Sequence, residues 1–167
     1  MLIRPRLDDD LPGCGDVLRQ VHLLDGYPRY LPGELMEFLD TPDTYAAWVG
    51  EVDGVLVGHV ALVASSSQTV MDIASAALGV PAAALGVVAR LFVAPQARRG
   101  GTGAALLEAA VDAGWARGLY PVLDVVCDAH AAIALYERLG WKRAGQATIR
   151  FSNGHSLDEY VYLAPAK

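Results

Sequence analysis

From Leu91 to Leu107 the chain runs an apolar strand into Pro95, then passes through Arg98-Arg99-Gly100-Gly101-Thr102-Gly103 into an amphipathic helix. No other stretch restricts its fold as much. In the helix Leu106, Leu107, Ala110, Val111 and Trp115 recur at helical spacing and Gly118 supplies the stop. The glycines allow close backbone approach to a ligand and leave several amide N–H groups pointing outward at the start of a helix, which is an anion site by construction. Arg98 and Arg99 add the positive charge that a chain of formal net charge -6 otherwise lacks, and a pyrophosphate is the natural guest. A tight turn with two solvated arginines would use the same residues. Two familiar nucleotide motifs are absent, since no Gly-Lys-Ser/Thr follows and the spacing is not GxGxxG.

A length of 167 residues suits one domain with a sizeable core, here taken as residues 1–167. The 53% hydrophobic content lies in short runs, none near the roughly 18 to 20 residues a bilayer span needs. Met1 to Arg6 alternates charged and apolar residues unlike a secretory signal, so a cytoplasmic location is expected. Cys14 and Cys127 lie far apart in no CxxC pair, which suggests neither a zinc site nor a disulfide framework, and both read as small buried or half-buried thiols. The acidic balance argues against a nucleic-acid or anionic-membrane surface.

Along the chain, a strand over 2–6 precedes a helix from about Leu11 to Leu24, its onset marked by Asp8-Asp9-Asp10. Residues 25–32 are too rich in turn formers for regular structure, and a short helix over 33–39 follows. The runs 45–52 and 55–63 meet at Asp53-Gly54, a strong hairpin signal. Val70 to Leu78 has the composition of a helix ended by Gly79 and Pro81, and Val87 to Val93 is a central strand interrupted by Arg90. A buried strand over 122–127, a helix over 130–139 ended by Gly140, and two strands around Asn153-Gly154 complete a mixed α/β order whose strands need helices on both faces.

Leu91-Phe92-Val93-Ala94-Pro95 followed by Arg98-x-x-Gly101-x-Gly103, together with Ala132-x-x-Leu135-Tyr136-x-x-x-Gly140-Trp141, resembles the two signature blocks of the GNAT superfamily of N-acetyltransferases. Two ordered blocks at family-like separation are far more specific than either alone. The resemblance is good over the C-terminal half and looser before it. It implies an α/β (α+β mixed) fold with a central, mostly antiparallel sheet, a splayed parallel strand pair and helices on both faces. It also implies acetyl-CoA as cosubstrate, no metal, and direct transfer to a primary amine through a ternary complex. Backbone groups of Phe92 and Val93 would bind the pantetheine arm, and Arg98, Arg99, Gly100, Gly101, Thr102, Gly103 and Ala104 the pyrophosphate. Tyr136 would be the general acid for the departing thiolate. On spacing alone, Tyr136 could equally pack its ring in the core. The chain departs from the family at Ala129, where an Asn often helps to hold the pantetheine; Asp128 beside it could cap the helix instead.

The base is open among Glu51, His59, Asp72, Asp124 and water. Glu51 stands near a hairpin turn and suits solvent; a lone strand histidine such as His59 is more often structural. Asp72 lies on the helix before the central strand. Asp124 interrupts an apolar strand, where a carboxylate is costly to bury without a partner. The acceptor region is expected in Tyr27 to Leu31, the helix carrying Glu34 and Glu37, and residues 65–85, with the carboxylates leaning toward a cationic amine. The competing readings are a longer acyl-CoA donor, a non-catalytic acetyl-CoA sensor and a dinucleotide-binding protein, the last disfavoured by the loop spacing. A homodimer through edge strands is compatible with the sequence and not required by it.

Overall fold

A computed structural model describes all 167 residues. The strands are β1 (Leu2–Pro5), β2 (Thr44–Val52), β3 (Val55–Val63), β4 (Leu85–Val93), β5 (Tyr120–Val126), β6 (Lys142–Arg150) and β7 (Ser156–Leu163). The helices are α1 (Leu11–Asp25), α2 (Leu35–Leu39), α3 (Gln68–Leu78), α4 (Thr102–Ala116) and α5 (His130–Arg138). Short 3₁₀ turns cover Asp8–Asp10, Ala82–Ala84 and Pro95–Ala97. The strand order is β1-β2-β3-β4-β5-β7-β6. Pairing is antiparallel for β1-β2, β2-β3, β5-β7 and β6-β7 and parallel for β4-β5. The mixed α/β class expected from the sequence is therefore the one observed.

The chain packs as two compact units, one of residues 1–63 and 88–113, the other of residues 64–87 and 114–167. In the first, the Asp53-Gly54 turn has φ of 51° and 76°, the left-handed geometry of a two-residue hairpin, and joins Val52 to its partner Val55. Because strand side chains alternate in direction, Val49 and Val57 face α1, where they join Cys14, Val17, Leu18 and Val21 in a buried cluster, while Gly50 and Gly58 face α4. Gly50 and Gly58 are register partners. A Cβ on either would stand 2.8 Å from Thr102 or Leu106 respectively, so the first turns of α4 rest on a notch that only glycine leaves. Helices thus cover both faces of these strands.

In the second unit, β4 and β5 pair in parallel over Leu85–Val87 and Tyr120–Val122. Helix α3 starts on Ser67, whose hydroxyl accepts from the Val70 amide, and stops at Gly79 with φ of 67°. It lies on β6 and β7, with Gly145 admitting Ile73 so closely that a Cβ there would meet the isoleucine at 3.0 Å. Both cysteines are free: Cys14 is buried, and burial pushes its thiol up to about 11, while Cys127 is half-buried.

Candidate functional site

In the first unit β4 ends at Val93 and hands the chain to the Pro95–Ala97 turn, with the Ala94 amide tied to the Val57 carbonyl at 2.6 Å. Arg99 and Gly101 then take left-handed backbone, φ of 68° and 84°, and α4 begins at Thr102. The Ala105 amide closes the first helical bond onto Gly101, so helix geometry leaves the amides of residues 102–104 without an intrahelical acceptor. Gly100 and Gly101 are exposed, and a Cβ at Gly101 would meet nothing within 4 Å. The loop is therefore an open, amide-lined anion site at a helix N-terminus, which suits a pyrophosphate. Thr102 is buried against the Gly50–Gly58 notch and anchors the loop instead of facing outward. Arg98 is held in place, its Nε donating to the Val93 carbonyl at 3.2 Å and its guanidinium paired with Asp25. Phe92 is buried in the core, its ring stacked on His59.

Of the base candidates, three are spoken for. Glu51 is bound by Arg4 at 2.6 Å, and Arg4 also pairs with Asp10. Exposed Asp72 accepts from Gln68 one turn earlier. His59 is fully buried between Arg6, 3.0 Å from its Nε2, and the Arg90 carbonyl, 2.9 Å from its Nδ1. Because arginine only donates, Nε2 accepts and Nδ1 carries the proton. Burial, with the nearby positive charge of Arg6 and Arg90, lowers its pKa to about 4, so His59 is a neutral structural residue.

Asp124 is different. It lies half-buried on β5 in the second unit, and the Ser66 hydroxyl donates to it at 3.0 Å. Next to it on β7 is Glu159, 8% exposed, a residue that sequence reasoning did not single out. Desolvation, then a hydrogen bond to Asp124 and its charge, hold the Glu159 carboxyl far above the ordinary range. The Glu159 carboxyl thus resists giving up its proton, because burial disfavours its charged form and the neighbouring carboxyl adds to that. Glu159 alternates with apolar neighbours in the pattern Leu157-x-Glu159-x-Val161, and a charged residue at an inward position of a strand was the available signal.

Tyr136 sits on α5 in the same unit, 7% exposed, with Trp141 and Tyr162 rings 6.0 and 6.1 Å away. The Tyr162 hydroxyl donates to Glu137 at 2.7 Å and receives Arg143, which fixes one wall beside Tyr136. The unit thus brings Tyr136, Asp124 and Glu159 onto neighbouring elements, and the first unit gathers residues 92–104.

The acetyltransferase (GNAT) family matches residues 16–141. The chain belongs to that family. The family's enzymes transfer acetyl groups from acetyl-CoA. No curated protein matches the sequence significantly. Among solved structures, the ribosomal-protein-S18-alanine N-acetyltransferase of Escherichia coli is similar with a TM-score of 0.69 and 21% identity, over 98% of this chain and 92% of that one. Salmonella typhimurium yncA, with its cofactor acetyl-CoA, aligns with a TM-score of 0.70 and 18% identity, over 100% and 94%. Arabidopsis thaliana NAA60, in complex with a bisubstrate analogue, aligns with a TM-score of 0.66 and 21% identity, over 99% of each. These likenesses establish the shared fold. In this GNAT chain no group of three or more His, Cys, Asp or Glu side chains is placed to hold a metal ion, and no helix is long and apolar enough to cross a membrane.

Proposed function

We propose that this acetyltransferase moves the acetyl group of acetyl-CoA directly to a primary amine, with residues 1–167 working as one catalytic domain. Acetyl-CoA supplies the activated acetyl group when bound. The amides of residues 100–104 and the Arg98–Arg99 pair hold its pyrophosphate, with Phe92 and Val93 offering backbone groups to the pantetheine arm. Asp124 takes the proton that the amine nitrogen must lose, and Tyr136 gives a proton at the departing sulfur. The observation that carries this reading is the Asp124–Glu159 pair: a half-buried strand carboxyl held by the Ser66 hydroxyl beside a second, buried carboxyl has a reason to be there that a surface carboxylate lacks. Ser66 fixes the Asp124 side chain, so the base is oriented before substrate arrives.

The test is a calorimetric titration with acetyl-CoA, and in parallel with NAD and ATP, on the wild type, Gly101→Glu and Gly100→Glu. The second variant adds the same charge where the backbone is not left-handed, separating charge from strain. Acetyl-CoA binding lost in both variants supports the loop as the phosphate site; undiminished binding places the phosphates elsewhere. Asp124→Asn should then retain binding and lose roughly 10²-fold or more in CoA release with an accepted amine, and full activity in that variant removes Asp124 from the reaction.

A further inference from the structure

Helix α5 has nine residues, His130–Arg138, and no side chain caps its start, so by itself it is marginal in water. Tyr136 lies in its last turn, the part of a helix that frays. The amides of Trp141 and Leu139 both close onto the Tyr136 carbonyl, at 3.0 and 3.1 Å. The direction of the Tyr136 side chain therefore depends on what holds that turn against the sheet.

What holds it is a polar network built on the Tyr162 hydroxyl. Tyr162 lies on β7 and is fully buried, and a buried phenol needs a partner. One would suffice, yet two charged ones converge. The hydroxyl donates to Glu137, the helix residue beside Tyr136, at 2.7 Å, and accepts from Arg143 Nη2 at 3.1 Å. Arg143 is the register partner of Tyr162 on β6, reaches Glu137 at 3.3 Å, and lays its guanidinium 3.6 Å from the centroid of the Tyr160 ring. The pairing of β6 with β7 shifts register between Arg143 and Gly145, and an irregularity of that kind re-aims the side chains beside it. Burial, then the bond to Glu137, raises the Tyr162 hydroxyl above its ordinary range, so it keeps the proton it donates. Glu137 and Arg143 are exposed, and an ion pair between them alone would contribute little. With the buried hydroxyl between them, α5, β6 and β7 are tied at one point beside Tyr136, whose ring centroid lies 6.1 Å from that of Tyr162.

Given the reading of Tyr136 as the general acid, on which this inference rests, we propose that Tyr162 is its positioning residue: through Glu137 and Arg143, the Tyr162 hydroxyl holds the last turn of α5 in the orientation that proton donation requires.

The experiment compares wild type, Tyr162→Phe, Glu137→Gln and Glu137→Ala, each also in the Tyr136→Phe background. It reads CoA release with an accepted amine, acetyl-CoA affinity by calorimetry, and hydrogen exchange of the Trp141 amide. Tyr162→Phe keeps the ring and removes the hydroxyl. It should lower kcat roughly 10-fold with the acetyl-CoA affinity and KM nearly unchanged, and speed Trp141 exchange roughly 10-fold. Glu137→Gln retains an oxygen for the Tyr162 hydroxyl and should keep most of the activity, whereas Glu137→Ala should behave like Tyr162→Phe. In the Tyr136→Phe background neither Tyr162→Phe nor Glu137→Ala should cost more than about 2-fold further, because the group they position is gone. A kcat for Tyr162→Phe near that of wild type, a loss carried by KM, an equal loss in both backgrounds, or unchanged Trp141 exchange overturns the proposal. If Tyr162→Phe does not fold, Glu137→Ala at its exposed position decides in its place. Slow turnover in Tyr136→Phe with normal turnover in Tyr162→Phe overturns the positioning role alone. Full turnover in Tyr136→Phe, or none in wild type with any amine, overturns the reading of Tyr136 as the acid and the positioning role with it.

Discussion

Replacing His59 with glutamine should change how stability depends on pH. The imidazole is fully buried, neutral, and held between Arg6 and the Arg90 carbonyl. Its folded pKa of about 4 lies below the ordinary 6.5, so the unfolded chain binds a proton that the folded chain refuses. Stability from this residue is complete above about pH 6.5 and is lost as pH falls toward 4. The linkage relation puts the loss between pH 7 and pH 5 at about 2 kcal/mol, with a limit of about 3 kcal/mol in stronger acid. Glutamine keeps an acceptor for Arg6 and carries no titration. It should cost about 1–2 kcal/mol at pH 7 through lost stacking on Phe92, and that gap should close by about 2 kcal/mol at pH 5. For a chain of this length the closing is roughly 4–8 °C in melting temperature. Thermal melts of both proteins from pH 7 to pH 4.5 provide the assay, and the difference between them isolates His59 from other titrating groups. A gap that stays constant across that range would refute the claim that the fold holds His59 neutral.

Glu159 should act with the opposite sign. Its carboxyl keeps its proton in the folded chain well above the ordinary 4.5, so wild-type stability from this residue falls as pH rises above that value, by up to about 1.4 kcal/mol per pH unit. Glu159→Gln should flatten the alkaline side of the curve, and denaturant midpoints between pH 6 and pH 9 check it. Gly58→Val should destabilise by about 1–3 kcal/mol and weaken acetyl-CoA binding, because its Cβ would stand 2.8 Å from Leu106 and 3.1 Å from the Phe92 carbonyl; an unchanged melting temperature and affinity would show that α4 does not depend on the notch. Tyr136→Phe should leave acetyl-CoA affinity nearly unchanged and slow turnover roughly 10²-fold or more, and full turnover would reassign that tyrosine to packing.

Much of the fold is legible because its signals are local. Asp53-Gly54 specifies a turn through backbone that only a few residues tolerate. Ser67 and Gly79 bracket α3, and the acidic run at 8–10 marks the approach to α1, although it forms a 3₁₀ turn in which Asp10 also binds Arg4. The loop before α4 is readable for the same reason. What escapes a linear reading depends on register. Gly50 and Gly58 matter together because pairing sets them opposite each other, under a helix that begins 44 residues after the second. Asp124 can be flagged on β5 as a carboxylate in an apolar strand, but its partner Glu159 arrives 35 residues later, on β7, whose pairing with β5 places the two together.

The composition of the two packing units has a practical consequence. Each is assembled from two separated stretches, and the boundary crosses the interior of β4 between Val87 and Val88 and of α4 between Ala113 and Gly114. No single cut of the chain yields one complete unit by itself, and a truncation after Ala113, which spares the first unit, also removes the end of α4. Hydrophobic positions such as Val49 and Val57 await Phe92, made 35 residues after the second of them, before their cluster is whole. On a ribosome the first unit therefore stays incomplete until all of the second unit's first stretch has emerged, and the hairpin of β2 and β3 is the portion that must survive that interval without α4 on its second face.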